Sequence, residues 1–268
     1  MFSDGLGVKG YQLGRGRVFI DLYPTSEVDG STVGAGERFI GNAPEFAVNV
    51  TEESLDHYAS TGGVKVKDDS VTLQVDRSGR IMVDSINKEN LALYFMGASS
   101  SLVQAADTAV EYEVTVNRGV YYQIGRSEDN PTGDRNISNV VVKKGVGFAT
   151  TVAATGNYAI DAGTGMLYIE AGSADIPDGT AIQVTYDVAA STREHIVSSN
   201  SVIYAALHFV ADNPKGTNRD IYIPLVKIAP DGDYNLISDD WSSMGFTYQV
   251  LQKGTQAAVY VDGRGITA

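Results

Sequence analysis

The sequence predicts a mainly β fold: an antiparallel β-sandwich or barrel with one flanking α-helix and long loops. Three observations predict it. Apolar and polar residues alternate strictly in many short segments, as where Val110, Tyr112, Val114 and Val116 interleave with Glu111, Glu113 and Thr115, and again at Ile182, Val184, Tyr186 and Val188. Glycine outnumbers proline by 29 to 7, which suits strands joined by tight turns. Only one segment has the cap, length and stop of a helix. No segment repeats at the ~20–50-residue period of a solenoid or propeller.

Taken in order, residues 1–16 are glycine-rich, end in Gly14-Arg15-Gly16 and read as an arm. Residues 18–23 form a strand that Pro24 stops. Residues 36–42 turn around Arg38-Phe39-Ile40. Over 45–50, Phe46, Val48 and Val50 share one face. Thr51 is placed to cap a short helical turn, since Glu52 and Glu53 follow at its positive end. Residues 51–69 then read as an exposed, charged loop. Val71, Leu73 and Val75 alternate, Arg77-Ser78-Gly79 turns, and Ile81 and Val83 alternate again, a hairpin over 70–86. Asp84 or Ser85 can cap a helix running through Met96, with Gly97 as its stop.

Beyond about residue 102 strands predominate, at 110–117, 121–124, 140–143, 147–153, 157–161, 166–170 and 182–188. The polar stretch 125–139 is the best place for an insertion boundary. Residues 202–211 and 221–228 are long and apolar, which places them centrally or buried on both faces. Segments 246–251 and 258–261 close the chain. No linker divides it, so residues 17–268 read as a single domain after the arm, with 107–190 a β-rich segment open to elaboration.

Of 268 residues, 33 are Asp or Glu and 20 are Lys or Arg, a formal net charge of −13. The absence of cysteine removes thiol nucleophiles, Cys-ligated zinc, iron–sulfur clusters and disulfides. The acid excess argues against a large basic face gripping nucleic acid. A hydrophobic content of 43% supplies a core. The first residues lack the basic start and apolar run of a secretory signal, and no apolar stretch approaches the ~20 residues that span a bilayer. The expected place of synthesis is a cytoplasm, with no membrane partner.

The chemical motifs are weak. Gly5-Leu6-Gly7-Val8-Lys9-Gly10 matches a dinucleotide-binding string but lacks the preceding strand, and an arm accounts for it better. Asp231, Asp233, Asp239 and Asp240 crowd four carboxylates together without the glycine and terminal Glu of a calcium loop, so a turn is the favoured reading. His57, beside Asp56, is the best general-base candidate of three histidines; His208 reads as a satisfied core or interface residue. Neither a nucleophile elbow nor a zinc-protease motif is present, and no pair of acids stands out for glycoside hydrolysis. Fifteen tyrosines and the lone Trp241 are a faint sugar-binding signal in a β-rich chain. The sequence predicts no catalytic residues, no cofactor and no metal.

Three stretches resemble the major tail-tube proteins of long non-contractile-tailed bacteriophages. The first is GERFIGNAPEFAVNV at 36–50, continued by LDHYASTGG at 55–63 and, after a hairpin, by NKENLAL at 87–93. The second joins YAID at 158–161, GTG at 163–165, IPDGT at 176–180 and VTY at 184–186. The third is IAPDGDYNLISDDW at 228–241. Residues 107–155 match less clearly.

The resemblance implies a structural virion protein. Its subunits form hexameric rings that stack into a hollow tube, a self-assembly that conducts double-stranded DNA into the host without binding it specifically. It also implies a tail-terminator protein and tail-tip or tape-measure proteins as partners, and a place in the phage tail after assembly in the bacterial cytoplasm. A lumen lined by acids repels phosphate, and acidity is equally a route to solubility. The candidate lumen acids are Asp76, Asp84, Glu111 and Glu113. The candidate inter-subunit contacts are Arg15 and Arg17 of the arm, and Asp56, His57, Lys65, Lys67, Asp68 and Asp69 of the 51–69 segment, which is expected to reach the adjacent ring. The alternatives are the inner tube of a type six secretion system and a carbohydrate-binding β-sandwich module.

Overall fold

The computed structural model describes residues 11–24 and 28–264. Its elements in chain order are β1 (Gly16–Leu22), β2 (Arg38–Phe39), β3 (Glu45–Ala59), β4 (Val66–Val83), α1 (Lys88–Tyr94), β5 (Ala98–Gln104), β6 (Asp107–Val116), β7 (Tyr121–Gln123), β8 (Ile137–Lys144), β9 (Thr150–Val152), β10 (Tyr158–Asp161), β11 (Met166–Ile169), β12 (Thr180–Val188), β13 (Ser191–Val197), β14 (Ile203–Ala211), β15 (Arg219–Asp231), β16 (Met244–Val250) and β17 (Tyr260–Gly263). Every pairing described is antiparallel, and α1 is the one α-helix among the described residues.

The chain divides into two compact units, one comprising residues 1–99 and 196–268 and the other residues 100–195. The expected single domain is therefore interrupted by an inserted unit. Its boundary lies near residues 99 and 196, not in the 125–139 loop. That loop closes on its own unit: Asn130 Nδ2 donates to Asp134 Oδ1 at 2.9 Å, and the Tyr186 hydroxyl donates to Asp134 Oδ2 at 2.7 Å. Burial and the Asp134 carboxylate hold the Tyr186 phenol above its ordinary range.

In the first unit one sheet runs β2-β1-β14-β15-β16-β4-β3, with β17 also paired to β15. As their apolar runs predict, β14 and β15 are central. Both of their faces are covered. Ala205, Leu207, Ile223, Val226 and Ile228 join the main core with Val18, Ile81 and Phe246, while Ala206 and Leu225 pack with Tyr23 on a second cluster. Pro224 sits mid-strand in β15, where it has no N–H to give a ladder. A register shift there accommodates it, since Ala205 opposes Val226 but Leu207 opposes Ile223.

Helix α1 is shorter than expected at both ends. Its cap is Asn87, whose side chain accepts from the Asn90 N–H at 2.8 Å. Neither Asp84 nor Ser85 is available to cap, because both bind the turn at Asn42. The Asn42 N–H donates to Ser85 Oγ at 2.8 Å and Asn42 Nδ2 donates to Asp84 Oδ2 at 2.6 Å. At the far end Met96, not Gly97, takes the left-handed conformation, with φ 51°. Gly97 N–H then reaches Ala92 O and Met96 N–H reaches Leu93 O, the paired bonds of a Schellman stop. Gly97 is needed for another reason: a Cβ there would collide with Val197 O.

The second unit builds a four-stranded sheet, β6-β12-β8-β9, and a three-stranded sheet, β10-β11-β7. Both feed one core that includes Val116, Val142, Leu167, Ile169, Ile182, Val184 and Tyr186. The strands by which the chain enters and leaves this region, β5 and β13, pair with each other.

Candidate functional site

The feature that stands apart from packed structure is the β3–β4 ribbon. The sequence predicts a helical turn and a charged loop over 51–69. The structure replaces both with strand. Thr51, Glu52 and Glu53 pair with Asp76, Val75 and Gln74, and pairing continues to Ala59 opposite Val66. A cap contributes about 1 kcal/mol and lacks an apolar helical face to support it here, so the ladder with β4 wins. Bulges fall at Glu53/Ser54 and His57/Tyr58. Strand β16 pairs with β4 only from Ser78 to Val83, and β3 is the last strand of the sheet. Among the described residues the ribbon thus has no third strand from Val50 outward, and β3 carries an open edge.

Its base is firmly held. Gly79 lies opposite Tyr248, and a Cβ at Gly79 would strike both the Tyr248 ring and Ala47 O. This lets the Tyr248 hydroxyl pass across β4 and donate to Ala47 O on β3 at 2.8 Å. Burial raises the Tyr248 phenol above its ordinary range.

Its outer part is exposed on both faces. Leu55 and Val71 face each other across the strands yet are 64% and 56% exposed. Val50, Tyr58, Val64, Val66, Leu73 and Val75 are exposed too. A two-stranded ribbon alone in water is marginally stable, and uncovered apolar side chains in number mark a contact surface.

Most of the sequence-predicted contact residues lie on this ribbon. Lys67 Nζ is 2.6 Å from Asp56 Oδ1, which also accepts from Ser70 Oγ at 2.7 Å. These bonds lower the Asp56 carboxyl, and Asp56 in turn raises the Lys67 ammonium. His57 Nδ1 is 2.5 Å from Asp68 Oδ1, and the Asp69 carboxylate accepts from the Ser70 N–H at 2.8 Å. Lys65 is exposed in the turn between the strands. These surface pairs orient the tip and add little stability.

The arm behaves differently from expectation over its described part. Leu13 N–H donates to Lys215 O at 3.0 Å, and Arg15 N–H donates to Asn213 Oδ1 at 2.9 Å. Backbone pairing with the β14–β15 turn therefore ties residues 13–15 down. Arg15 and Arg17 remain exposed, and the Arg17 guanidinium lies 5.9 Å from the Phe19 ring centroid. Residues 1–10, with the glycine string, lie outside the described residues.

The four candidate lumen acids divide between the units. Asp76 is exposed on the ribbon and accepts from Gln74 Nε2, while Asp84 is held by Asn42. Glu111 and Glu113 stand on the outer face of β6, where Gln183 Nε2 donates to them at 3.3 and 3.1 Å.

The remaining candidates have local roles. His208 is half-buried, with Nδ1 3.0 Å from Glu37 Oε2 and its ring edge-on to Tyr222. Asp231 ends β15, with its carboxylate 3.3 Å from Arg80 Nε. Among the described residues no three His, Asp or Glu side chains converge on a metal-binding arrangement.

The β15–β16 loop holds Trp241 exposed, as its polar turn predicts, together with the exposed Leu236 and Ile237, which sequence reasoning did not single out. Sequence reasoning also missed a groove of about 800 Å³ beside β1 and β3, lined by Val18, Phe46, Val48, Phe209 and Ile221. Stacking of Phe46 on Phe209, 5.6 Å between centroids, depends on strands distant in the chain and leaves no local signal.

A family model described as Protein of unknown function UCP028589 matches residues 11–261. The chain belongs to this family. The family span takes in the whole ribbon, the groove-lining residues and the inserted unit. No curated protein matches the chain.

Proposed function

We propose that this protein is a structural subunit that polymerises with copies of itself into hexameric rings, stacked as the hollow tail tube of a long non-contractile-tailed phage. The observation that carries the reading is the β3–β4 ribbon. It leaves the sheet with both faces and one edge uncovered, and it displays apolar side chains that only a neighbouring molecule can bury. The tail-tube resemblance supports the reading independently, because two of its segments, 36–50 and 55–63, fall on the ribbon and its approach.

In this reading the first unit's sheet closes into a barrel with the sheets of its neighbours, which removes the open edge of β3. The ribbon tip reaches the adjacent ring. The net charge of −13, repeated in every subunit, lets DNA slide past rather than adhere. Asp76, Asp84, Glu111 and Glu113 remain the candidate lumen acids, and tail-terminator and tail-tip or tape-measure proteins the expected partners.

Negative-stain electron microscopy of the purified, concentrated protein tests the reading. Hollow tubes of stacked rings are the expected result. A protein that stays monomeric, and instead is retained on a glycan array, would replace this reading with a carbohydrate-binding module.

A further inference from the structure

We infer that the first unit's sheet carries, on the face opposite its main core, a binding site for a neutral oligosaccharide of pyranose sugars. The ligand would lie along a row of aromatic side chains that ends at Tyr222 and Tyr260. The site needs one subunit only and does not rest on the assembly reading.

The row comes from strand register. Phe39 on β2 opposes Phe19 on β1, and Phe19 opposes His208 on β14. His208 opposes Tyr222 on β15, and Tyr222 opposes Tyr260 on β17. Successive rings lie 5.6, 6.2, 5.9 and 6.4 Å apart between centroids, so each neighbours the next across five strands. Four strand spacings make the row about 19 Å long, the reach of an oligosaccharide rather than of one sugar. Phe19 lies between Val18 and Ile20, which both enter the main core, so the row is on the other face. Tyr222 packs there against the small cluster of Tyr23, Ala206 and Leu225. The ends of the row meet solvent, with Phe39 47% and Tyr260 43% exposed.

A cleft of about 510 Å³ lies at His208, Tyr222 and Tyr260, and its other charged lining groups are Glu37, Asp220, Asp262 and Arg264. Most of these groups are held in place within the protein. His208 Nδ1 is 3.0 Å from Glu37 Oε2. Arg264 donates twice to Asp220, from Nε to Oδ2 at 3.2 Å and from Nη2 to Oδ1 at 3.0 Å. Asp220 Oδ1 also accepts from the Ala211 N–H at 2.8 Å. The Tyr260 hydroxyl accepts from the Ala257 N–H at 2.9 Å, which leaves its own O–H to donate. Burial, and then Tyr23, Glu37 and Asp21, push the Tyr222 phenol up, which keeps its O–H a donor too. Groups aligned beforehand lower the ordering cost of binding.

The chemistry of the cleft selects its ligand. A cation would compete with His208 and Arg264 for Glu37 and Asp220, and a phosphate or carboxylate would meet three carboxylates against one guanidinium. Among the described residues no three His, Asp or Glu side chains converge closely enough to hold a metal ion. A wholly apolar ligand would strand the polar groups. A pyranose matches both halves of the site. Its C–H face suits the negative face of an aromatic ring, and its hydroxyls, each donor and acceptor at once, suit the acceptors Glu37 and Asp262 and the donors Arg264, Tyr222 and Tyr260.

The test is retention on an array of neutral oligosaccharides of glucose, galactose, mannose and their N-acetylated amino sugars, followed by calorimetry with the tightest-binding one. Wild type should bind with saturable heat. Tyr260→Ala with Asp262→Ala should weaken binding about tenfold, and Tyr260→Phe, which keeps the ring, by about threefold at most. Both positions are exposed, and melting temperatures near that of wild type show that the variants fold. Trp241→Ala, at the exposed aromatic of the β15–β16 loop, should bind like wild type. An array that retains nothing, or a double variant that binds like wild type, would overturn the site. Loss of binding in Trp241→Ala would place sugar recognition in the β15–β16 loop and overturn it too. Tubes under electron microscopy, or their absence, bear on the assembly reading alone, so the two can fail separately.

Discussion

Asn90 is fully buried, and its side chain joins three segments. Its Nδ2 donates to Ile40 O at 2.7 Å and to Ser85 O at 2.8 Å, while its Oδ1 accepts from Arg38 Nη1 at 2.9 Å. Asn90→Ala would leave two carbonyls and a half-buried guanidinium short of partners. A loss of about 2–4 kcal/mol is expected, read by urea unfolding with an unchanged m-value. Met96 gives the opposite sign. Its side chain occupies a left-handed backbone at φ 51°, which costs an L-residue about 1 kcal/mol. Met96→Gly should therefore stabilise by about 1 kcal/mol; a lower melting temperature would mean that the methionine's packing outweighs the strain. The left-handed position was expected one residue later. Glycine is the usual occupant, and only the approach of Val197 O shows that Gly97 serves close packing instead.

At the scale of elements, strands that alternate or run continuously apolar were legible. β1, β6, β12, β14 and β15 fall where residue types place them, because burial on one or both faces writes a local pattern. The ribbon was not legible beyond its base. Val71, Leu73 and Val75 do alternate, but the turn expected at Arg77-Ser78-Gly79 is absent because β4 runs unbroken from Val66 to Val83; over 51–69 the residues are exposed on both faces, so no period marks them, and only pairing with β4 defines them as strand. Strand β13, with sequence STREHIV, escaped for a different reason: its half-covered face carries the polar Ser191, Arg193 and His195, so its alternating burial leaves no apolar period. Shortening the ribbon by replacing residues 52–75 with an Asn-Gly turn removes no core residue. Such a chain should melt within a few degrees of wild type yet form no tubes under electron microscopy. Normal tubes from it would sink the ribbon's assigned role.

For the whole molecule, the inserted unit has its own core and its own sheets. Residues 100–195 expressed alone should unfold cooperatively in a calorimeter; a gradual, non-cooperative melt would show that it depends on the rest of the chain. The protein's pH dependence should be distributed across both units. Hydrogen bonds from Ser31 and Thr32 lower the Asp29 carboxyl from 3.8 to about 2, and Asp56, Asp161, Asp178, Asp187 and Asp220 are also lowered by hydrogen bonds. Groups lowered in the fold contribute stability that is present above their ordinary value and lost as pH falls through the folded value. The melting temperature should hold from pH 7 to about 5 and fall progressively between about pH 4 and 2. The phenols of Tyr186 and Tyr248, raised by burial, act at the other end: their contribution is full below pH 10, their ordinary value, and lost above it.

The sequence by itself determined the antiparallel β class, the presence of helix α1, the central strands of the large sheet and the acidic, cysteine-free composition. Each is written in residues that are neighbours in the chain, as periodicity, caps and charge. Only the tertiary structure decided where the inserted unit begins and ends, that residues 51–69 are ribbon rather than loop, and that Phe46 and Phe209 stack beside a groove. These outcomes depend on pairing and burial between residues far apart in the chain, and a side chain's local sequence does not say which distant strand will cover it, or that none will.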